Sequence, residues 1–135
     1  MQPSDRNYIL SSWLRSFAGK SEDGRGFRES GSLTDFFTDY APVVRSLIDR
    51  SAIVVACLKE KPDAIAGWMA IEEDALHYVL VKPRWRRCGV ARWMLADYAS
   101  VPVVFTHETS DSRRCPVPEA WRLRRWRVWP KEREQ

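Results

Sequence analysis

The sequence predicts one mixed α/β domain, an α+β arrangement in which an antiparallel meander leads into a β-loop-α-β unit. Three observations carry this reading. Two segments with helical apolar spacing come first, over 7–17 and 34–50. Three short apolar runs then follow over 52–58, 64–71 and 75–81, separated only by tight polar turns. A basic loop, a third helical segment and a fourth apolar run close the pattern. At 135 residues the chain is one domain, 1–135, without material for two full cores.

The first helix is expected over Asn7–Phe17, with Tyr8, Ile9, Leu10, Trp13, Leu14 and Phe17 at i, i+3 and i+4 spacing and Asp5 as its cap. Residues 18–32 hold four glycines among mixed charges and read as a mobile loop, either substrate-facing or a plain surface loop. Thr34–Arg50 reads as the second helix, with Pro42 as a point where it kinks or divides. Ala52–Leu58 is β-branched and apolar enough for a buried strand. A turn at Lys59–Asp63, a strand at Ala64–Ile71, an acidic turn at Glu72–Asp74 and a strand at Ala75–Val81 complete the meander. Lys82–Gly89 is a basic loop and Val90–Ser100 a helix. Pro102–Thr106 is a strand parallel to the third, given a right-handed crossover. Residues 108–135 form a basic segment rich in Trp and Arg, with a short helix expected near 118–124 and an edge strand at 126–129.

Charge is unevenly placed. Residues 1–83 carry a net −2 and residues 84–135 a net +6, so the second part should attract an anion. The three cysteines, Cys57, Cys88 and Cys115, form no C-x-x-C pair, and neither histidine stands at finger spacing from them. A disulfide framework and a structural metal site are therefore not expected. No apolar run approaches the ~20 residues of a membrane span. The polar start of the chain reads as that of a cytoplasmic protein.

The most informative stretch runs from Tyr78 to Arg92. A strand leads into a basic loop that opens a helix, an arrangement suited to an anion because the first helical turn offers unpaired N–H groups. Gly89 allows close backbone approach and the arginines add charge-assisted hydrogen bonds. The pattern Arg86-x-x-Gly89-x-Ala91 resembles the Q/R-x-x-G-x-G/A pyrophosphate loop of the GCN5-related N-acetyltransferase superfamily. The order helix, helix, three strands, loop, helix, strand is similar to that family over roughly residues 7–107. Leu76-His77-Tyr78-Val79-x-Val81-Lys82 and Phe105-Thr106-His107 also look like segments of short phage-encoded members.

The resemblance implies an acetyltransferase that uses acetyl-CoA as co-substrate, without a metal, on an amine acceptor attacked directly in a ternary complex. It implies that Val81 pairs with the pantetheine arm. Lys82, Arg84, Arg86, Arg87, Cys88, Gly89, Val90, Ala91 and Arg92 would line the cofactor phosphates. Two departures stand out. The family's first strand is missing or vestigial, and the tyrosine that commonly serves as general acid has no counterpart after Tyr98.

Candidate catalytic residues are His77, His107 and Glu73. His77 precedes Val81 by an even number of residues, which puts both on one sheet face, and imidazole suits a general base. The acidic turn around Glu73 could hold a cationic amine or a water, or be a solvated turn. His107 follows the fourth strand, where the family's cleft would open. The bland alternative for both histidines is a satisfied structural side chain. Arg122–Arg127 interleaves cations with tryptophans, which suits nucleic acid or internal cation–π packing. The competing function is therefore a catalytically silent binding module whose basic segment holds nucleic acid or an acidic protein. Monomer and homodimer are both compatible with the sequence.

Overall fold

The computed structural model describes residues 3–20, 33–86, 88–98, 101–107 and 121–128. Among them, α1 spans Pro3–Lys20 and α2 spans Leu33–Arg50. Strands β1 (Ala52–Leu58), β2 (Lys61–Glu72) and β3 (Ala75–Val81) follow. Next come a 3-10 turn at Pro83–Trp85, then α3 (Val90–Leu95), which tightens to a 3-10 turn over Ala96–Tyr98. Two short strands, β4 (Val104–Phe105) and β5 (Arg122–Leu123), and a 3-10 turn at Arg125–Val128 complete the chain. The five strands form one mixed sheet in the order β1-β2-β3-β4-β5. The first three are an antiparallel meander, and β4 and β5 add in parallel.

Helical spacing explains the first layer. Ile9, Trp13, Leu14, Phe17 and Ala18 form one stripe of α1, and Phe36, Val44, Leu47 and Ile48 the corresponding stripe of α2; all are buried. They meet Trp68, Ala70 and Tyr78 from β2 and β3 in one core. The opposite sheet face buries Met69, Ile71, Leu76, Met94, Val103 and Trp121, with α3 packed over it. The result is a sheet between two helical layers.

Several boundaries differ from expectation. α1 begins before Asp5, which lies in its first turn rather than at its cap, and it continues through Gly19 to Lys20. Residues 18–20 of the expected loop are therefore helical, and its remainder, 21–32, lies outside the described residues. α2 runs unbroken through Pro42, because that residue is on the solvent side, where the carbonyl left without a partner can reach water. β1 is half-buried rather than buried, since it forms the edge of the sheet. β2 starts at Lys61, so the turn before it is only Lys59–Glu60. At the C-terminal end the two expected elements are exchanged. Arg122–Leu123 is a strand, recruited by pairing with β4, and 125–128 is a 3-10 turn rather than an edge strand.

Gly67 sets the distance between α3 and the sheet. A Cβ there would stand 2.7 Å from the Leu80 carbonyl oxygen and 3.3–3.4 Å from Val90 and Met94. Only a residue without a side chain lets β3 and α3 approach this closely. Gly67→Ala is expected to destabilise the fold by roughly 1–3 kcal/mol through overpacking, read as a lower urea midpoint with an unchanged slope.

Candidate functional site

The site begins with an irregularity in β3. Ala70 faces Tyr78 and Ile71 faces Leu76, so His77 is an extra residue, a β-bulge. Leu76 packs on the α3 side of the sheet, as do Val79 and Val81. Tyr78 and Leu80 pack on the α1–α2 side. His77 reaches Glu72, which is held by Arg50 of α2, so its ring lies on the α1–α2 side, opposite Val81. The sequence expectation that His77 and Val81 share a face is thus corrected. The parity argument assumes an uninterrupted strand, and the bulge shifts the alternation by one.

Beside the bulge, β3 parts from β4. Among the described residues their parallel pairing covers Ala75↔Val104 and Leu76↔Phe105, with Val104 N and Thr106 N donating to the carbonyls of Asp74 and Leu76. Lys82 N donates to Ala66 O, which sets the alternation along the end of β3. Val79 and Val81 therefore turn their N–H and C=O groups away from β2, toward the side where β4 has ended. Arg86 Nε donates to Val81 O at 3.1 Å.

Where the strands part, a buried polar chain crosses from helix to strand to strand. Tyr40 Oη lies 2.5 Å from His107 Nε2, and His107 Nδ1 lies 2.8 Å from Thr106 Oγ1. Thr106 Oγ1 is 3.0 Å from His77 Nδ1, and His77 Nε2 is 2.9 Å from Glu72 Oε1. Arg50 donates to both Glu72 oxygens at 3.2 and 3.4 Å, and to Ser46 Oγ and Val128 O. His77, Thr106 and His107 are 1%, 3% and 6% exposed. Trp13, Phe17, Tyr40 and Tyr78 present rings at steep angles to His107, with centroids 4.8–5.9 Å away.

These surroundings decide protonation. Burial, with the nearby His77, pushes His107 down from the ordinary 6.5 to about 3. Burial also lowers His77, outweighing the raising effect of Glu72. Burial raises Glu72, but hydrogen bonds from His77 and Arg50 more than offset this and hold its carboxyl below the usual range. Both rings are therefore neutral at pH 7 and Glu72 is ionised.

The basic loop is laid out at the C-terminal end of β3. Gly89 has φ 82°, in the left-handed region, and its carbonyl accepts from Trp93 N at the start of α3. Arg84, Arg86, Cys88 and Arg92 are exposed, and Lys82, Val81, Val90 and Ala91 are half-buried. The Lys82 ammonium lies over the Tyr8 ring at 5.0 Å and the Arg84 guanidinium over Trp85 at 5.3 Å. Arg87 lies outside the described residues.

Glu73, named with the histidines from sequence, stands apart from them. It occupies the β2–β3 turn with φ 53° and is exposed, while its neighbour Glu72, still in β2, meets His77. Tyr40, Thr106 and Arg50 complete the chain without having been chosen. Tyr40 reads in sequence as one more apolar position of α2, and only its hydroxyl marks it. From the basic C-terminal segment, Arg127 pairs with Asp74 at 2.8 Å, and Arg124 bonds to the adjacent Leu123 carbonyl. Trp121 is buried with its Nε1 donating to Tyr98 O, whereas Trp129 lies outside the described residues. Among the described residues no helix is long and apolar enough to cross a membrane, and no group of three or more His, Cys, Asp or Glu could hold a metal ion. Comparison with models of known families, with curated proteins and with solved structures finds no match for this chain.

The histidines make stability depend on pH. Both fold with proton affinity below the unfolded value, so below pH 6.5 the unfolded chain binds more protons. Stability is full above pH 6.5 and falls as pH drops toward about 3, where His107 itself protonates. For His107 the loss approaches roughly 5 kcal/mol over that window. Denaturant unfolding between pH 7 and 4 should show the decline, and His107→Gln should flatten it.

Proposed function

We propose that this chain is an acyltransferase of the GCN5-related N-acetyltransferase type, moving an acetyl group from acetyl-CoA to an amine. The observation that carries the reading is the short β3–β4 pairing. Among the described residues it leaves the Val79–Val81 edge, on the side of β4, without a strand partner, and the basic βα loop follows that edge directly. Ligands of open α/β sheets favour such gaps at the carboxyl ends of strands. The left-handed Gly89 at the head of α3, with Arg84, Arg86 and Arg92 exposed around it, supports phosphate binding there.

In this reading the CoA phosphates lie on the loop backbone and the arginines. The pantetheine arm pairs with Val79 and Val81, displacing Arg86 from the Val81 carbonyl. The thioester then reaches the parting of β3 and β4, where His77, Thr106 and His107 lie. The amine attacks the thioester carbon, the C–S bond breaks, and thiolate leaves. Reaction needs a neutral amine and a proton for the thiolate, so groups that handle protons belong near that point. The buried histidines supply them, whereas Glu73 is in an exposed turn. The alternative binding module is less favoured, because Arg124 and Arg127 bond within the protein.

Calorimetric titration with acetyl-CoA and desulfo-CoA tests the reading. Binding is expected for both at micromolar concentrations, and absence of heat for either would sink it. Gly89→Trp should abolish binding, because a residue with a side chain is strained at φ 82° and its indole covers the loop backbone. Unchanged affinity in that variant would move the site elsewhere.

A further inference from the structure

The buried chain from Tyr40 to Glu72 has one polarity, and this follows from counting protons. With Glu72 ionised and both imidazoles neutral, the carboxylate accepts from His77 Nε2–H, which leaves His77 Nδ1 as an acceptor. Thr106 has one hydroxyl proton and two acceptors in reach, His77 Nδ1 at 3.0 Å and the His77 carbonyl oxygen at 3.5 Å; it donates to the nearer, Nδ1. Its oxygen then accepts from His107 Nδ1–H, and His107 Nε2 accepts from the Tyr40 phenol. Every hydrogen bond points from Tyr40 toward Glu72. The inner members are buried, whereas the Glu72 side chain is 28% exposed and meets water.

We propose that Tyr40, His107, Thr106 and His77 form a proton relay that accepts a proton at the Tyr40 oxygen and delivers one to Glu72. When a donor releases a proton to the Tyr40 oxygen, the phenolic proton passes to His107 Nε2. The proton on His107 Nδ1 passes to Thr106 Oγ1, that of the Thr106 hydroxyl to His77 Nδ1, and that of His77 Nε2 to Glu72. Each N–H or O–H bond broken is matched by one formed, every intermediate group keeps its proton count, and the Glu72 acid releases its proton to water. Arg50 is the positioning residue that fixes the outer end, through both carboxylate oxygens and the Val128 carbonyl. Among the described residues the charged groups around the chain are Arg50 from α2, Arg125 and Arg127 from the last 3-10 turn, and Glu73 and Asp74 from the β2–β3 turn. The phenol of Tyr78 packs edge-on to His107. Only the identity of the donor at the Tyr40 end, the acceptor amine, rests on the transferase reading.

The test uses nitrogen-15 NMR of the whole chain at pH 7, where its two histidines give two pairs of ring-nitrogen signals. The relay requires one ring protonated on Nδ1 and the other on Nε2; two rings of the same tautomer, or one cationic ring, would overturn it. Glu72→Leu leaves Arg50 to donate to His77 Nε2, so both tautomers should reverse, the change reaching His107 at the far end. A His107 tautomer unaffected by Glu72→Leu refutes the coupling. Thr106→Val keeps the shape and removes the linking hydroxyl. Exchange of the His107 ring proton with solvent should then slow at least about tenfold, whereas loss of a merely structural bond would leave it unchanged or speed it by local opening. Failure to bind acetyl-CoA would refute the transferase reading and leave these NMR outcomes to decide the relay.

Discussion

The bulge at His77 is the constraint on which the rest depends. One extra residue in β3 moves an imidazole from the α3 side of the sheet to the α1–α2 side. It places the ring where β3 and β4 part, within reach of Thr106 just after β4 and Glu72 at the end of β2. A regular strand would have put His77 on the other face and left Thr106, His107 and Glu72 without their link. The same shift turns the Val79 and Val81 backbone groups away from β2, to the side of β4.

Burying two imidazoles is costly unless each nitrogen finds a partner. Here all four ring nitrogens have one, and the aromatic rings of Trp13, Phe17, Tyr40 and Tyr78 exclude water from His107. The arrangement is a satisfied network with a carboxylate–guanidinium pair as its only charges. Not every group in the neighbourhood is so well served. Trp13 Nε1 and Ser51 Oγ are buried without a hydrogen-bond partner among the described residues, although the Trp13 ring stacks on Tyr78 at 5.3 Å. The aromatic layer evidently gains more from ring packing than it loses at that indole N–H.

The opposite side of the sheet follows a different rule, close approach. Gly67 lets α3 settle on β2 and β3, and α3 in turn carries the basic loop to the end of β3. The loop follows the end of β3 and leads into α3 on one face of the sheet, whereas the buried chain lies on the other.

Local pattern was enough for the order of the elements from α1 to β4, the limits of β1 and β3, the meander and the parallel return. These depend on apolar period and turn chemistry within a few residues. It also marked His77 and His107 as residues to watch. It failed where a long-range partner decides. Arg122–Leu123 became a strand because β4 offered an edge, and Pro42 stayed helical because its side faces water. Glu72 rather than Glu73 joined the site because the first still belongs to β2, while the second turns through a positive φ. The polar chain was beyond reach for the same reason. Tyr40 lies 67 residues from His107 and His77 lies 29 from Thr106. The sequence determined which residues could carry protons; only the packing of α2 against a bulged strand decided which of them touch.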